Sequence, residues 1–463
     1  MFLCREKELA SLNKKYNEGL FELIVMYGRR RVGKTALITE FCKDKPTIFF
    51  SALDTTSSGN LKALSNSMAN YENFSAGEAP VYPDFDAALA KISQLGKEKR
   101  LILVIDEYPY LAKSEPSISS RLQHLIDHEW QQSKLFVILC GSSMSFMAEQ
   151  VLGEKSPLYG RRTAQYKILP LDYQDTAKFY PQATLTDKSL IYGITGGIPL
   201  YILRLRYMQD IKKALCNNLF EMASFLFEEP NNLLKQELRE PALYNSIIGA
   251  IAGGASRLND ISTKVGMVSG ACTKYLDTLM ELGIVRKETP LLEKYGKKSF
   301  YYLADNYFRF WYKFVPKALP AINMGIIDKY YDVQIEPQLA GFMGLIFEEM
   351  CKTYLAKQAK NGLYLTEIGQ WWGSDPRTKK QVQIDIVATT LDANTFVIGS
   401  CKYKNEPIGV DEYELLVSYA NIFAKGTNYI YYIFSKGGFT DSLLTLAKAG
   451  KVKLVSLEDM YIE

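Results

Sequence analysis

Residues 23–35 read LIVMYGRRRVGKT, and a helix-forming stretch, Ala36–Cys42, follows directly. The run Leu23–Tyr27 is short and apolar, as expected of a strand buried on both faces of a parallel sheet. Gly28 then opens the pattern G-x-x-x-x-G-K-T between that strand and the helix, which is the context that a phosphate-binding loop requires. The stretch therefore predicts an α/β fold with a nucleotide site at the carboxyl end of this strand.

The residue types of this loop suit a bound triphosphate. Gly28 and Gly33 let the backbone curl so that its N–H groups point at phosphate, and the helix N-terminus adds a favourable dipole. We expect Lys34 to reach the β- and γ-phosphates and the Thr35 hydroxyl to ligate Mg²⁺. The predicted nucleotide-binding residues of the loop are Gly28, Arg29, Arg30, Arg31, Val32, Gly33, Lys34, Thr35 and Ala36. A chance glycine-rich turn is disfavoured because a strand and a helix flank the pattern.

Two further apolar runs predict neighbouring strands. The run 101–105 ends in Asp106 and Glu107, which places two carboxylates at the edge where α/β sheets bind ligands. We expect Asp106 to hold Mg²⁺ and Glu107 to polarise the attacking water. The second run, Leu135–Cys140, ends in Gly-Ser-Ser, where Ser142 is placed to contact the γ-phosphate or the water. An ordinary Gly-Ser turn is the equally weighted alternative.

Composition excludes some classes of protein. The 463 residues are 47% hydrophobic and 23% charged, which excludes a disordered or collagen-like chain and suggests about three domains. The 55 Lys and Arg residues nearly cancel the 51 Asp and Glu residues. A net charge of +4 does not identify a nucleic-acid binder, so that function would need a local basic patch.

Cysteine, histidine and hydropathy patterns point to a cytoplasmic protein without a membrane segment. The seven cysteines form no C-x-x-C motif, so we expect most of them to be reduced core residues. His124 and His128 share a helical face, but the glutamate of a zinc protease motif is missing, so we interpret them as surface residues. The first residues are charged where a signal peptide needs an apolar core.

Several segments together resemble the archaeal-type ATPase family, which belongs to the AAA+ and signal-transduction P-loop NTPases. The similar segments are Phe2–Leu12, Tyr27–Thr35, Ile105–Tyr108 and the Gly-Ser-Ser at 141–143. Residues 159–163 (YGRRT) and 196–199 (GGIP) extend the resemblance into a helical lid.

The resemblance implies ATP and Mg²⁺ as cofactors and assigns further roles. Ser142 takes the sensor-1 position, and Pro199 abuts the adenine. Arg161 or Arg162 contacts the γ-phosphate of its own or a neighbouring subunit. Contact with a neighbour's γ-phosphate would require a homo-oligomer, and contact within one subunit would not. The alternative for either arginine is an ordinary solvated charge.

The middle of the chain predicts a winged helix. Three helical patterns, Ala242–Ala252, Leu258–Val265 and Ser269–Glu281, precede two strand patterns, Ile284–Glu288 and Ser299–Leu303. Ser269 is the expected N-cap of the third helix. Gly296-Lys297-Lys298 would form a basic wing between the strands. Asp277 and Glu281 on the presumed recognition helix weaken its basic character, so DNA contact and an internal packing or dimerisation role both stay open.

Residues 307–314 read YFRFWYKF, an aromatic-rich stretch. Such a stretch could stack bases, but aromatic residues at helical spacing are more often core, and core is the prediction. The stretch also resembles the segment that connects the winged helix to the C-terminal domain in this ATPase family.

The C-terminal region resembles the core of PD-(D/E)XK nucleases. A helix opening at Gly344 carries Glu348, a strand carries Asp385, and a second strand, Phe396–Lys402, ends in the lysine. The resemblance implies that Glu348 and Asp385 are metal ligands and that Lys402 is catalytic. Ser400 stands where an acid is expected, so nuclease activity should be weak or absent. The alternative is an ordinary mixed α/β domain with a lysine at a strand end.

The predicted fold class is α/β. A P-loop parallel sheet (1–170) and helical lid (171–238) precede a winged helix (239–305), an aromatic-rich helical connector (306–340) and a mixed α/β domain like restriction endonucleases (341–463). We expect a Mg²⁺-dependent ATPase that couples nucleotide state to modules acting on double- or single-stranded DNA. The alternative is a signalling ATPase whose C-terminal modules bind protein or nucleic acid without cutting. Acidic residues slightly outnumber basic ones over 341–463, which favours the alternative.

Overall fold

The computed structural model describes residues 2–74, 80–293, 299–392, 394–426 and 428–462. The chain divides into two units. The first comprises Met1–Leu171 with Ile198–Leu200, and the second comprises Asp172–Gly197 with Tyr201–Glu463. Within the described ranges, no helix has both the length and the apolar character needed to cross a bilayer.

The first unit is built on a sheet of five parallel strands, as the α/β prediction requires. The strands are β1 (Glu22–Tyr27), β2 (Thr47–Ser51), β3 (Leu101–Asp106), β4 (Leu135–Gly141) and β5 (Ala164–Lys167), in the order β2-β3-β4-β1-β5. Every residue of β3 and β4 is buried. Unbroken aliphatic runs form such strands because helices cover both faces of a parallel sheet.

The strand order determines where the site lies. β4 separates β3 from β1, and Tyr27 pairs in register with Gly141. The carboxyl ends of β1, β3 and β4 therefore meet at one edge of the sheet. That edge carries the loop after β1, the two acids after β3 and Ser142 after β4, so residues far apart in sequence become neighbours.

Helices surround this sheet. They are α1 (Glu6–Asn17), α2 (Lys34–Cys42), α3 (Ser57–Glu72), α4 (Phe85–Glu98), α5 (Tyr108–Ser114), α6 (Ile118–His128) and the short α7 (Met144–Phe146), with a 3₁₀ turn at Trp130–Gln132 and a π turn at Met147–Val151. Side chains of Thr56 and Asp84 cap α3 and α4 by accepting backbone N–H bonds. The fully buried Trp130 anchors the core, and its indole N–H donates to Ser93 Oγ at 2.6 Å.

The second unit begins with a group of helices where the lid is predicted. They are α8 (Tyr173–Ala177), α9 (Leu185–Thr195), α10 (Pro199–Leu205), α11 (Ile211–Asn218) and α12 (Phe225–Glu237). Side chains of Asp172, Thr184, Asp210 and Ser224 cap four of these helices. Capping satisfies backbone donors that a helix start leaves without partners, which explains why short helices form here.

The next elements have the order of a winged helix. Helices α13 (Pro241–Ala252), α14 (Leu258–Val265) and α15 (Ser269–Glu281) precede an antiparallel hairpin of β6 (Val285–Glu288) and β7 (Phe300–Leu303). Cys272, Leu276 and Leu279 are buried along one face of α15, as its periodicity predicts.

The N-cap of α15 differs from the prediction, and the predicted wing cannot be compared with the structure. Ser269 is not the N-cap of α15: Val268 is, and the Ser269 hydroxyl lies 3.1 Å from Asn259 Oδ1 and from Ser262 Oγ. Its hydroxyl therefore joins α15 to α14 instead of capping its own helix. The predicted wing, Gly296-Lys297-Lys298, lies outside the described residues.

The aromatic stretch forms the start of α16 (Asn306–Asn323), which Asp305 caps. Tyr307, Phe308, Phe310 and Phe314 are buried, so the prediction of core is confirmed. The Phe310 ring packs against the rings of Phe220, Phe314 and Phe342 at centroid distances of 4.8–6.2 Å. These rings are therefore not available to stack bases.

A mixed five-stranded sheet forms the C-terminal part. Its strands are β8 (Leu365–Ser374), β9 (Gln381–Thr390), β10 (Thr395–Lys402), β11 (Asn428–Ser435) and β12 (Lys453–Ser456), in the order β12-β11-β10-β9-β8. β8, β9 and β10 are antiparallel, whereas β10, β11 and β12 are parallel. The helices are α17 (Ile327–Tyr330), α18 (Glu336–Ala356), α19 (Val410–Phe423), α20 (Asp441–Lys448) and α21 (Leu457–Tyr461), with a π turn at Tyr331–Ile335 and a 3₁₀ turn at Lys357–Asn361.

The expectation that a helix opens at Gly344 is wrong, because α18 begins eight residues earlier, at Glu336. Pro337 stands in its first turn, where the missing N–H costs nothing. Leu339, Phe342 and Met343 are buried, so packing holds the first turns of this helix in place. Glu348 consequently lies in the middle of a long helix.

Candidate active site

Two glycines shape the loop between β1 and α2. A Cβ at Gly28 would collide with the carbonyl oxygen of Ile168 on the segment after β5, so only glycine fits there. Gly33 has φ +89°, a left-handed conformation that glycine adopts without strain, and it precedes the first residue of α2. The Pro199 ring lies 3.8 Å from the position of a Cβ at Gly33. The structure thus brings Pro199 to the loop, and its contact with adenine stays a prediction.

Lys34 is buried and already points into this loop. Its ammonium donates to the carbonyl oxygens of Gly28 at 2.8 Å and Arg29 at 3.1 Å. Burial lowers the pKa of Lys34, although the charges of Glu107 and Asp106 act in the opposite direction. A buried ammonium that donates to two backbone carbonyls is suited to exchange them for phosphate oxygens.

Thr35 and Asp106 form the second part of the site. The Thr35 hydroxyl donates to Asp106 Oδ2 at 2.9 Å, and Asp106 Oδ1 accepts the backbone N–H of Glu107 at 3.0 Å. Asp106 is 5% exposed. A hydroxyl and a carboxylate are hard oxygen ligands of the kind that Mg²⁺ prefers, so the donor set fits that ion.

Glu107 turns toward the end of β4. It adopts φ +51°, which is strained for a residue other than glycine, and its Oε2 accepts the Ser142 hydroxyl at 2.9 Å. The Ser142 backbone N–H lies 3.4 Å from the same oxygen. The two residues predicted to contact the attacking water or γ-phosphate are therefore direct partners.

Two further contacts at the loop were not predicted from the sequence. Arg30 donates to the Tyr110 hydroxyl at 3.0 Å, and Arg5 donates to the carbonyl oxygen of Val32 at 3.3 Å. Arg31 takes a left-handed φ of +74°. The only signal for Arg5 was its place in the segment that carries the family resemblance, and nothing in the sequence indicated Tyr110.

The structure places Arg161 against an acid. Its guanidinium donates to both carboxylate oxygens of Asp127 at 2.7 and 2.8 Å and to the carbonyls of Pro157 and Tyr159. This bidentate pair lowers the pKa of Asp127. Arg162 is partly exposed. A role toward γ-phosphate for either arginine stays a prediction.

A second polar centre lies within the C-terminal sheet. Asp385 on β9 accepts the backbone N–H of Cys401 at 2.9 Å, and Glu348 on α18 is hydrogen-bonded to the Gln370 side chain. Burial and the charge of Asp385 raise the pKa of Glu348 to about 8, and burial raises that of Asp385. These two acids, 37 positions apart in the sequence, therefore interact electrostatically, and their role as metal ligands stays a prediction.

Lys402 and Ser400 at the end of β10 both contact an acid that the sequence analysis missed. Glu412 in the first turn of α19 accepts the Ser400 hydroxyl at 2.7 Å and lies 3.2 Å from the Lys402 ammonium. Burial opposes the charge on Lys402, but Asp385 and Glu412 outweigh it and raise its pKa. The sequence analysis did not predict α19, and the adjacent acids Asp411 and Glu412 were the available signal.

Carboxylates are ligands that a hard cation prefers, but the acids of this centre do not converge on one point. Among the residues that the structure describes, no three His, Cys, Asp or Glu side chains converge closely enough to hold a metal ion. That finding also covers His124 and His128, whose rings lie 4.5 Å apart.

The fold and the loop define the class of P-loop ATPases. A family model described as an ATPase domain predominantly from Archaea matches residues 2–205, and one described as Archaea bacterial proteins of unknown function matches residues 311–414. An uncharacterized protein of Methanocaldococcus jannaschii is 31% identical over 411 residues, which is 88% of each chain. The chain belongs to this family of archaeal-type ATPases.

Two further comparisons cover parts of the chain. An uncharacterized ATP-binding protein of Methanocaldococcus jannaschii is 53% identical over 45 residues, which is 10% of this chain and 76% of the other. The solved structure of a Walker-type ATPase of Pyrococcus abyssi matches with a TM-score of 0.53 and 19% identity. It covers 67% of this chain and 96% of the other, and at this identity it supports the fold alone.

Proposed function

We propose that the first unit binds ATP with Mg²⁺ and hydrolyses it. The observation that carries the proposal is the pair of contacts at one sheet edge, Thr35 to Asp106 and Ser142 to Glu107. The first pair provides oxygens for the ion, and the second holds a carboxylate beside a hydroxyl where water would attack. Mg²⁺, when bound, neutralises charge on the β- and γ-phosphates.

Each residue has a task in this proposal. Lys34 exchanges the carbonyls of Gly28 and Arg29 for phosphate oxygens, and the N–H groups of the loop surround the phosphates. Glu107 orients the attacking water and polarises it, while Ser142 fixes the position of that carboxylate. Pro199, which lies beside Gly33, is assigned to the adenine.

We further propose that nucleotide state controls binding of nucleic acid by the second unit. The supporting features are the winged-helix order of elements and the polar centre around Asp385, together with the sequence resemblance to PD-(D/E)XK nucleases. Pro199, next to the loop, is also the first residue of α10, whose later residues belong to the second unit. A helix that starts beside the nucleotide offers a covalent route for coupling.

The test is DNA binding by the full-length chain in two nucleotide states. We expect fluorescence anisotropy of labelled duplex and single-stranded DNA to give an affinity that differs with ATP and with ADP and falls as salt rises. Lys34→Ala should remove the nucleotide dependence without removing basal binding. No binding of either DNA at low salt, with intact ATPase activity, would overturn the nucleic-acid part and leave the ATPase part standing.

The second candidate is a signalling switch whose C-terminal modules bind without cutting. The observation that favours it is the hydroxyl of Ser400 in place of an acid. In that case ATP turnover alone is the chemistry of this protein, and no nucleic acid is cleaved in Mg²⁺ or Mn²⁺.

A further inference from the structure

We propose that Arg30 of the loop supplies positive charge to the γ-phosphate of the ATP bound by its own chain, and that the Tyr110 hydroxyl positions its guanidinium. This inference rests on the proposed ATPase function and names a catalytic residue and a positioning residue for it. Hydrolysis then needs no arginine from a neighbouring subunit.

The contact between Arg30 and Tyr110 carries the argument. The Arg30 guanidinium donates to the Tyr110 hydroxyl at 3.0 Å. Tyr110 lies in the first turn of α5, where its backbone N–H donates to the carbonyl oxygen of Glu107 at 2.9 Å. The guanidinium is therefore held beside the start of the helix that directly follows the proposed catalytic carboxylate. Under the proposed function the γ-phosphate lies at this end of the site, because Glu107 acts on the water that attacks it.

Packing fixes the Tyr110 hydroxyl in place. The Tyr110 ring packs against the core of the first unit, and Tyr108 and Leu111 of the same helix are buried in that core. The Tyr108 hydroxyl lies 2.6 Å from Ser119 Oγ, which joins α5 to α6. A fixed acceptor of this kind restricts the rotamers of a long arginine before any nucleotide binds, so less freedom is lost on binding.

The charges around the loop point to the same role. Burial lowers the pKa of Lys34, and the nearby positive charge of Arg30 acts in the same direction. Two neighbouring cations repel each other, and an anion bound by both relieves that repulsion. A neutral hydroxyl such as that of Tyr110 orients a guanidinium without cancelling its charge.

Arg161 is in a different situation. Its guanidinium donates to both carboxylate oxygens of Asp127, so two charge-assisted hydrogen bonds must break before it can turn to a phosphate. The arginine of the loop meets no such obstacle at Tyr110, since a hydroxyl competes weakly with a phosphate for a guanidinium.

The role of Arg30 in hydrolysis is electrostatic. The water oxygen bonds to the γ-phosphorus while the bond from that phosphorus to the bridging oxygen of ADP breaks. The electron pair of that bond leaves with ADP, and a proton of the water passes to Glu107. Charge on the oxygens shifts during this step, and a planar guanidinium can donate to two of them at once. Arg30 should therefore contribute more to the rate than to the affinity for ATP.

The first measurement is steady-state turnover by full-length variants. We expect Arg30→Ala to lower kcat by about 10²-fold or more and to change KM by less than about fivefold. Tyr110→Phe should lower kcat about tenfold, as expected for one hydrogen bond to a charged group, and should add nothing in the Arg30→Ala background. Arg121→Ala, which removes an arginine of α6 that pairs with Asp86, is the matched control and should keep the wild-type rate.

Binding of ADP with aluminium fluoride gives a readout without turnover. Aluminium fluoride beside ADP imitates the phosphoryl group during transfer, so wild type should bind ADP much more tightly in its presence. Arg30→Ala should lose that gain, while its affinity for ADP alone stays within about threefold of wild type. Calorimetry measures both affinities.

A mixing experiment separates action within one chain from action between chains. Lys34→Ala is expected to bind no ATP but keeps Arg30, so it can assist Arg30→Ala only across a subunit contact. We expect the mixture to be as slow as Arg30→Ala alone. Restored turnover would show that the arginine acts on a neighbour and would overturn the proposal.

The remaining outcomes are distinguishable. A normal kcat in folded Arg30→Ala would overturn the role of Arg30 and leave the proposed ATPase standing. An additive loss in the double variant would overturn the role of Tyr110. If Arg30→Ala does not unfold cooperatively, Arg30→Gln replaces it, because it keeps a polar side chain and loses only the charge. Wild type that binds ATP without hydrolysing it would overturn the proposed function and this inference with it.

Discussion

The Ser142 hydroxyl donates a 2.9 Å hydrogen bond to the Glu107 carboxylate across the ends of two parallel strands. Each residue directly follows a strand and has an uncommon local environment. Glu107 adopts a left-handed φ of +51°, and the Ser142 side chain is almost fully buried. The left-handed backbone of Glu107 costs free energy. Such strain persists where the surrounding structure or the function requires it.

We expect Glu107→Gln to keep ATP binding and lose hydrolysis. The ligands proposed for Mg²⁺, Thr35 and Asp106, are unchanged, whereas an amide cannot polarise water as a carboxylate does. The rate should fall by about 10²–10³, which is typical for loss of one preorganised group. Phosphate release and ATP calorimetry measure the two effects, with Glu115→Gln as a control. Parallel loss of binding and turnover would instead make Glu107 a structural residue.

Ser142→Ala should reduce the ATPase rate by about tenfold or more and leave ATP affinity within about threefold, because a hydrogen bond to a charged group contributes roughly 1.5–3 kcal/mol. Ser142→Thr keeps a hydroxyl and should retain most of the rate. Steady-state kinetics separates these effects on kcat from effects on KM. A faster Ser142→Ala variant would show that Ser142 restrains Glu107 instead of positioning it.

Lys34→Ala should abolish measurable ATP binding. The loop N–H groups supply partial charges only, and the full charge on the β- and γ-phosphates comes from this ammonium. Calorimetry on the nucleotide-free protein gives the affinity, and Lys62→Ala, an exposed lysine of α3, is the control. Retention of wild-type affinity by Lys34→Ala would refute the assignment of the loop.

The free energy of unfolding should depend on pH through the Glu348 carboxyl group. Its pKa is raised from an ordinary 4.5 to about 8. Between these values the unfolded chain loses a proton that the folded chain keeps, so the free energy of unfolding falls as pH rises, by at most about 1.4 kcal/mol per pH unit. The groups that act on this carboxyl are Asp385, Lys352, Glu349 and Glu288.

Glu348→Gln removes that titration and should flatten the profile. In metal-free buffer, urea unfolding at pH 5 and pH 8 should show that the variant gains stability relative to wild type as the pH rises. Glu367→Gln, an exposed acid on β8, is the comparison variant. An equal slope in Glu348→Gln and wild type would mean that Glu348 is ionised throughout this range.

The amino-acid sequence by itself determined the nucleotide loop and its strands. Glycines at 28 and 33, the lysine and threonine after them, and aliphatic runs before acids are local signals, because backbone conformation and strand burial depend on neighbouring residues. The same local reasoning located α14, α15 and the buried aromatic face of α16. It failed where helix ends depend on packing, as at Ser269, and at Gly344, where buried apolar residues extend α18 toward Glu336.

Only the tertiary structure decided which distant side chains meet. The Ser142 contact with Glu107 depends on β4 lying beside β3, and the Arg30 contact with Tyr110 depends on where α5 packs. Glu412 reaches Ser400 and Lys402 because Phe423 and Leu416 seat α19 on the sheet. No spacing in the sequence encodes that approach, since it arises from the burial of apolar side chains over a whole helix.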